Sequence, residues 1–402
     1  MKLRTLYPGA DLHRVEKMVY IRFARPHRVL SSARCGGGYR AGGEVEYIGI
    51  CQGCEPHGDH YGFYVSGPRD SESGEQFFSS ERMLLSLAGR AGIPADRFVG
   101  LETAADMQNA GIEVMTRKSI TLAAVCTAGV ETNAVRAGDP SAYDEDEIRR
   151  HTAGTINILL AIDRSLTPAA MTAAVITATE AKSAALLDLN AGSTASVELA
   201  TGTGTDQITV ACCAGPAAAG DGTAPLADAG KHSLLGELIG RAVTGAVKRS
   251  LELQNGYTAV RRGHVTAQVR RFGYQPEDFR ALVVRFVVLE RRGSAEEGAA
   301  GVLEANFDEL DRKPGVAAAA AALIHIFDLL RSGVLPPETA REEAALFGAQ
   351  IASAAAERPA AVPEYLGRLE SCLDDVSISD PVVFISRSIA LGYADKWKRR
   401  KA

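Results

Sequence analysis

The sequence predicts an α/β fold, with a mixed sheet packed with helices in an N-terminal domain over residues 1–254 and an all-α extension over residues 255–402. Three observations predict it. Apolar runs of strand length alternate with segments of helical spacing in the first part of the chain, and Gly and Pro punctuate them. Beyond Asn255-Gly256 the strand patterns cease, alanine dominates, and helical spacing recurs between Gly and Pro signals.

In order along the chain, Val, Tyr, Ile and Phe place strands at Met18–Phe23 and His27–Ser32. Gly36, Gly37 and Gly38 then break the pattern, which fits either a close backbone approach to a ligand or a tight turn. Strands follow at Val45–Cys51 and Tyr61–Val65. A helix over residues 80–92 is capped by Ser79 or Ser80 and closed by Pro94. A short helix at Ala104–Asn109 precedes strands at Ile112–Thr116 and Ile120–Thr127. The loop Val130–Pro140 carries Asn133 with an acid and an arginine, and suits either binding or a solvated turn.

Ile156–Ile162 is apolar throughout, as expected of a strand buried on both faces. Thr167-Pro168 opens a helix running to about Leu187, with Thr as N-cap and Pro at the first helical position. Strands at Ser196–Ala200 and Gln207–Ala211 flank the loop Thr201–Asp206. Another helix starts near Ser233, just after Lys231 and His232. In the extension, His325 falls in an apolar helical face and reads as a core residue.

The chain has 402 residues and a net charge of -5, which offers no global attraction to nucleic acid or anionic lipid. The apolar stretch Val316–Leu330 is short for a membrane span and is interrupted by His325 and Asp328. Met1-Lys2-Leu3-Arg4 leads to Pro8-Gly9 instead of a signal core, so a cytoplasmic location is expected. Seven cysteines, an odd number, argue against a disulfide framework, and Cys212-Cys213 reads as a buried apolar pair. Cys51, Cys54, His57 and His60 supply four zinc-type ligands at every third residue. A tetrahedral site normally separates its ligand pairs by a longer chain, so a polar loop without metal is the expectation.

Two stretches carry the functional reading. Thr179-Glu180-Ala181-Lys182 places an acid and a base in an alanine-rich helix, where charge is costly to bury unless paired. Thr201-Gly202-Thr203-Gly204-Thr205-Asp206 offers backbone N–H groups beside hydroxyls. A solvent-facing charge pair at a helix end explains the first equally well. Common alternatives are missing: Gly230-Lys231 lacks the phosphate-loop context, Gly202-x-Gly204 lacks the third glycine of a dinucleotide fingerprint, and neither H-E-x-x-H nor G-x-S-x-G occurs.

An ordered series of segments resembles the adenosylcobinamide amidohydrolase family. It comprises Val29–Ala33 with Gly36–Gly38, Val99–Asp106, Thr127–Gly129, Asn133 with Arg136–Asp139, and Gly154–Ile158. It continues through Thr179–Lys182, Ala200–Asp206, Gly230–His232 and Leu235–Arg241, spanning residues 15 to about 253. The resemblance implies a hydrolase that cleaves the amide joining the aminopropanol arm to the corrin propionate, giving adenosylcobyric acid and aminopropanol, with the corrinoid as substrate and no cofactor required. Such chemistry needs a base, an acid and oxyanion donors. Glu180 or His232 is the expected base, Lys182 the oxyanion stabiliser or partner of Glu180, and Asp206 a further carboxylate, with Glu180, Lys182 and Asp206 expected to converge on one amide. Ser32, Gly36, Gly37, Gly38, Asn133 and Asn157, with the hydroxyls of Thr201, Thr203 and Thr205, are expected to bind the substrate. The Cys51–His60 loop and residues 255–402 depart from the family pattern. The alternative is a corrinoid-binding or chaperone protein without hydrolysis, and a homo-oligomer stays open.

Overall fold

The computed structural model describes residues 1–53, 63–64, 80–141, 150–151, 154–214, 224–290, 296–370 and 380–401. The chain divides into two compact units, Met1–Thr258 and Ala259–Ala402.

The first unit is built on strands β1 (Lys2–Tyr7), β2 (Ala10–Val15), β3 (Met18–Ser31), β4 (Gly38–Gln52), β5 (Phe63–Tyr64), β6 (Phe98–Thr103), β7 (Gly111–Arg117), β8 (Ile120–Ala128), β9 (Ala134–Val135), β10 (Arg150–His151), β11 (Ile156–Ile162), β12 (Gly202–Thr203) and β13 (Gln207–Cys213). Its helices are α1 (Ser80–Arg90), α2 (Pro168–Asp188) and α3 (Leu234–Asn255). Nine strands form one mixed sheet in the order β1-β2-β3-β13-β11-β8-β7, with β4 on β3 and β6 on β4. Two pairs are parallel, β11 with β13 through α2 and β4 with β6 through α1.

Strand β3 merges the two strands expected at Met18–Phe23 and His27–Ser32. Its first half pairs with β2, its second with β13, and the register against β4 shifts between Arg22 and His27, where Ala24-Arg25-Pro26 is exposed. Pro26 has no N–H for a ladder, so the bend falls where pairing is weakest. The bend turns the arm carrying β6 to face β11 and β13. Apolar residues alternate accordingly. Val125, Leu159 and Ala211 pack inward against Leu12, Ile21, Ile48 and Leu101, while Leu122, Ile158, Leu160 and Val210 pack outward against α2 and α3. Double-sided burial explains why β11 is apolar throughout. Helix α1 covers the opposite face of the β4–β6 arm, with Leu84, Leu87 and Ala88 on Met18, Tyr20 and Phe98.

Local chemistry sets the helix ends. Thr167 Oγ1 accepts from the Ala170 N–H (3.1 Å) ahead of Pro168, and Ser233 Oγ accepts from the Gly236 N–H (3.0 Å). Gly256 ends α3 in the left-handed region at φ 59°. Helix α3 lies so close to β7 that a Cβ on Gly111 would overlap the Ala246 carbonyl.

Several expectations are corrected. Strands β1, β2 and β6 are additions to the expected set: β1, β2 and β3 follow one another as hairpins, and β6 pairs with β4 about 50 residues earlier. Residues 104–109 form only a 3₁₀ turn, Met107–Asn109, where Asp106 accepts from the Gln108 N–H (2.8 Å) in place of a helical start. Residues 196–200 form no strand. Ser193 N–H instead bonds the Glu198 carbonyl (2.8 Å), and β12 pairs with β9.

The second unit is all helical: α4 (Ala259–Arg262), α5 (Val265–Val269), α6 (Pro276–Glu290), α7 (Glu296–Asp311), α8 (Pro314–Arg331), α9 (Pro337–Ala356), α10 (Val362–Glu370) and α11 (Pro381–Lys401). Small residues let α9 and α11 pack tightly, since a Cβ on Gly392 would overlap the Ala352 carbonyl. By length and composition α8 is apolar enough to cross a membrane, which the sequence reading had excluded. Val316, Ala320, Leu323 and Phe327 of α8 are buried in the core of the unit. His325 points outward and is exposed, correcting its placement in the core.

His27 is buried, stacked 3.7 Å from Phe23, and donates from Nδ1 to the Arg25 carbonyl (2.8 Å). Burial disfavours the charged ring and pushes its pKa down to about 4. The unfolded chain takes up this proton near pH 6.5 while the native state resists until about 4, so the stability is present above 6.5 and lost as pH falls. Urea titrations at neutral pH and near pH 4 are expected to show a loss of about 3 kcal/mol that His27→Gln removes. At Gly111, substitution by Ala is expected to cost roughly 1–3 kcal/mol through overpacking against α3. A shift of the urea midpoint at unchanged slope checks it.

Candidate functional site

The apolar pattern of the sheet stops where β11 and β13 begin. These parallel strands start side by side, with Asn157 paired to Gln207. Just before them, the Asp206 carboxylate gathers four donors. Its Oδ1 accepts from the Ile156 N–H (3.0 Å) and the Thr203 hydroxyl (2.5 Å); its Oδ2 accepts from the Thr203 N–H (3.0 Å) and the Lys182 ammonium. The Lys182 and Asp206 side chains are only 8% and 13% exposed. An ion pair so far from water repays desolvation only when its remaining sites are hydrogen-bonded, as they are for Asp206. Gly202 makes room for it, because a Cβ there would overlap both Asp206 Oδ2 and Lys182 Nζ.

The hydroxyl-rich loop is held by its own side chains. Thr201 Oγ1 accepts from the Ala137 N–H (2.9 Å), Thr205 Oγ1 donates to the Gly154 carbonyl (3.1 Å), and Thr155 Oγ1 donates to the Thr205 carbonyl (2.8 Å). Asn133 Nδ2 donates to the Gly154 carbonyl (2.8 Å), and Ser183 Oγ donates to the Thr201 carbonyl (2.7 Å). Thr201, Thr203, Thr205 and Asn133 therefore build the loop in this structure, whereas the sequence assigned them to substrate.

On the inner face, the same strand starts grip the end of β6. Asn157 Nδ2 donates to the Glu102 carbonyl (2.6 Å), and Gln207 Oε1 accepts from the Glu102 N–H (3.1 Å). Asn157 Oδ1 and the hydroxyl of its cross-strand partner Thr127 are fully buried, with no hydrogen-bond partner among the described residues. Ser31 and Thr209 continue this polar row, 2.7 Å apart.

Other expected groups lie elsewhere. Glu180 pairs with Lys231 in solvent, at 48% and 66% exposure. Two residues apart on α2, Glu180 and Lys182 point to different faces, so the expected convergence of Glu180, Lys182 and Asp206 is reduced to the last two. His232 is exposed in the turn before α3. Ser32 extends the ladder between β3 and β13, its hydroxyl accepting from the Ile208 N–H (2.9 Å). Gly36 and Gly37 form the tight turn: at φ 69° a Cβ on Gly36 would press on the Phe98 carbonyl, and one on Gly37 would overlap the Ala33 carbonyl. Gly38 opens β4 at φ 85°. Cys51 is buried in β4 and burial pushes its thiol up, while Cys54, His57 and His60 lie outside the described residues. Among the described residues, no group of three or more His, Cys, Asp or Glu could hold a metal.

A family model described as adenosylcobinamide amidohydrolase matches residues 4–259. The chain belongs to the adenosylcobinamide amidohydrolase family. A protein of Methanocaldococcus jannaschii described as uncharacterized is 32% identical over 252 residues, which cover 60% of this chain and 87% of that protein. The family region contains every element around Asp206, and helices α5 to α11 lie beyond it.

Within this family member, one buried acid escaped the sequence reading. Glu102 is 9% exposed at the end of β6. Its signal was present, since an acid follows the apolar run Phe98–Leu101, but the two side chains that grip it lie 55 and 105 residues away.

Asp206→Ala strands the Lys182 ammonium and three other donors, whereas Lys182→Met removes one donor of four. The first is expected to cost about 3–5 kcal/mol and the second about 1–2 kcal/mol. Urea denaturation of the two variants checks the order.

Proposed function

We propose that this protein hydrolyses the amide between the aminopropanol arm and the corrin propionate of adenosylcobinamide, releasing adenosylcobyric acid and aminopropanol for corrinoid salvage. Membership of the adenosylcobinamide amidohydrolase family over residues 4–259 is the observation that carries the reading. The geometry supports it in one respect. Charged groups are concentrated at one end of an apolar sheet, where they cost stability and where chemistry tends to be sited. In this reading Lys182, aimed by Asp206, is the cation set against the charge that develops on the amide oxygen. Water is the co-substrate and no cofactor is called for. Glu180, Lys231 and His232 face solvent and are given no part in the reaction in this reading.

Incubation with adenosylcobinamide, followed by chromatography, is expected to yield adenosylcobyric acid. A corrin spectrum that shifts on binding with no product over hours would instead identify a corrinoid-binding protein. Lys182→Met is expected to lower turnover at least about tenfold, a larger loss than Glu180→Gln. Equal losses would remove Lys182 from its assigned role.

A further inference from the structure

The hydroxyls of Thr155, Thr201 and Thr205 bond to peptide groups, which hold a loop but take no part in proton transfer. Thr203 is different. Its Oγ1 donates to Asp206 Oδ1 at 2.5 Å, the length of a charge-assisted O–H···O⁻ bond, and a carboxylate can accept the proton outright. The carboxylate is itself held in place. The Ile156 N–H (3.0 Å), the Thr203 N–H (3.0 Å) and the Lys182 ammonium fix its orientation. A hydroxyl within reach of a base, with the base oriented by a third group, is the arrangement of an activated nucleophile.

Two further observations favour attack over mere support of the loop. The nearly buried Lys182 ammonium has three N–H donors and spends one on Asp206, with no other hydrogen bond among the described residues. Two donors therefore remain for an oxygen that gains charge during the reaction. Access is the second. Thr203 is 9% exposed, but it stands between Gly202 and Gly204, which have no side chains to cover it, and Gly204 is exposed. One lone pair of Thr203 Oγ1 meets the Thr205 N–H at a long 3.4 Å, and the other has no partner among the described residues.

We infer that Thr203 is the nucleophile of the amide hydrolysis, with Asp206 as its base and Lys182 as the partner of the oxyanion, an assignment that rests on the amidohydrolase reading. Thr203 Oγ1 bonds to the amide carbon as its proton passes to Asp206 Oδ1, and the oxyanion forms against the Lys182 ammonium. Collapse breaks the carbon–nitrogen bond. The proton on Asp206 goes to the leaving amine, and the corrin propionate is left as an ester of Thr203. Water then bonds to the ester carbon and gives a proton to Asp206, the ester bond breaks, and that proton returns to Thr203 Oγ1. Amide and water become carboxylate and ammonium, and the site is restored.

The test measures kcat of the full chain for adenosylcobinamide and follows the corrin chromophore after rapid acid quench of the first turnover. Thr203→Ser keeps the hydroxyl and is expected to stay within about tenfold of the unaltered rate. Thr203→Val removes it, and Thr203→Asn replaces it with an amide N–H that can still donate to Asp206. Both are expected to lose at least about 1000-fold in kcat while binding the substrate as read by the corrin spectrum. The quenched unaltered chain is expected to carry corrin absorbance that peptide mapping assigns to Thr203 and that hydroxylamine releases, as it does from an ester. A Thr203→Asn enzyme within about tenfold of the unaltered rate leaves the hydroxyl a positioning role only, and overturns the assignment with the hydrolase reading intact. A quenched chain free of corrin at every time, or loss of fold in both Thr203→Val and Thr203→Asn, overturns it as well. Absence of product from the unaltered protein rejects the hydrolase reading and this assignment with it.

Discussion

The Asp206 carboxylate is the interaction on which the arrangement around it depends. Its four donors come from β11, from the loop before β13 and from α2, so one side chain fixes where two strands begin and where a helix lies over them. The next residue, Gln207, reaches the opposite face and holds Glu102, as Asn157 does beside Ile156. Two dipeptides, Ile156-Asn157 and Asp206-Gln207, therefore bind a charged pair on the helix side and an acid's backbone on the inner side. The contacts on the two faces of the sheet are thus made by neighbouring residues of the same two strand starts.

Much of this architecture could be read from local signals. Thr167-Pro168 marked a helix start that is capped as expected, a second helix starts at the expected place with Ser233 as its cap, and the uninterrupted apolar run of β11 declared burial on both faces. Lys182 stood out because charge in an alanine-rich helix must find a partner, and Asp206 as the carboxylate of the hydroxyl-rich loop; the structure makes each the partner of the other. Glu180 was misplaced because adjacency in sequence is not adjacency on a helix: two positions correspond to a rotation of about 200°. The grip on Glu102 was illegible for a different reason. It depends on side chains 55 and 105 residues away, where no periodicity of the local chain carries the information. The threonines of the loop are seen in a building role, and a hydroxyl that builds a turn and a hydroxyl that binds a ligand look alike in sequence.

The family region and the helical unit present different physical problems. In the first, tight approach of helix to sheet is achieved at single glycines such as Gly111, and polar groups collect at one end. In the second, alanine and glycine on α9 and α11 bring helix backbones together around aromatic anchors such as Tyr365 and Phe384. Helix α8 buries one face, Val316, Ala320, Leu323 and Phe327, and its exposed side carries alanines beside His325, which keeps its mean hydropathy high.

The crossover helix α2 has one more property. It returns antiparallel to β11, so a residue late in the helix comes level with the strand starts. Lys182 lies 14 residues beyond Pro168, a rise of about 21 Å. The 7 residues of β11 extend over about 20 Å from first to last. The helix is thus a ruler cut to the length of the strand it spans. A single residue inserted between Pro168 and Lys182 would turn the ammonium by about 100° away from Asp206, whereas the same insertion in the chain after Asp188 would leave the pair in register.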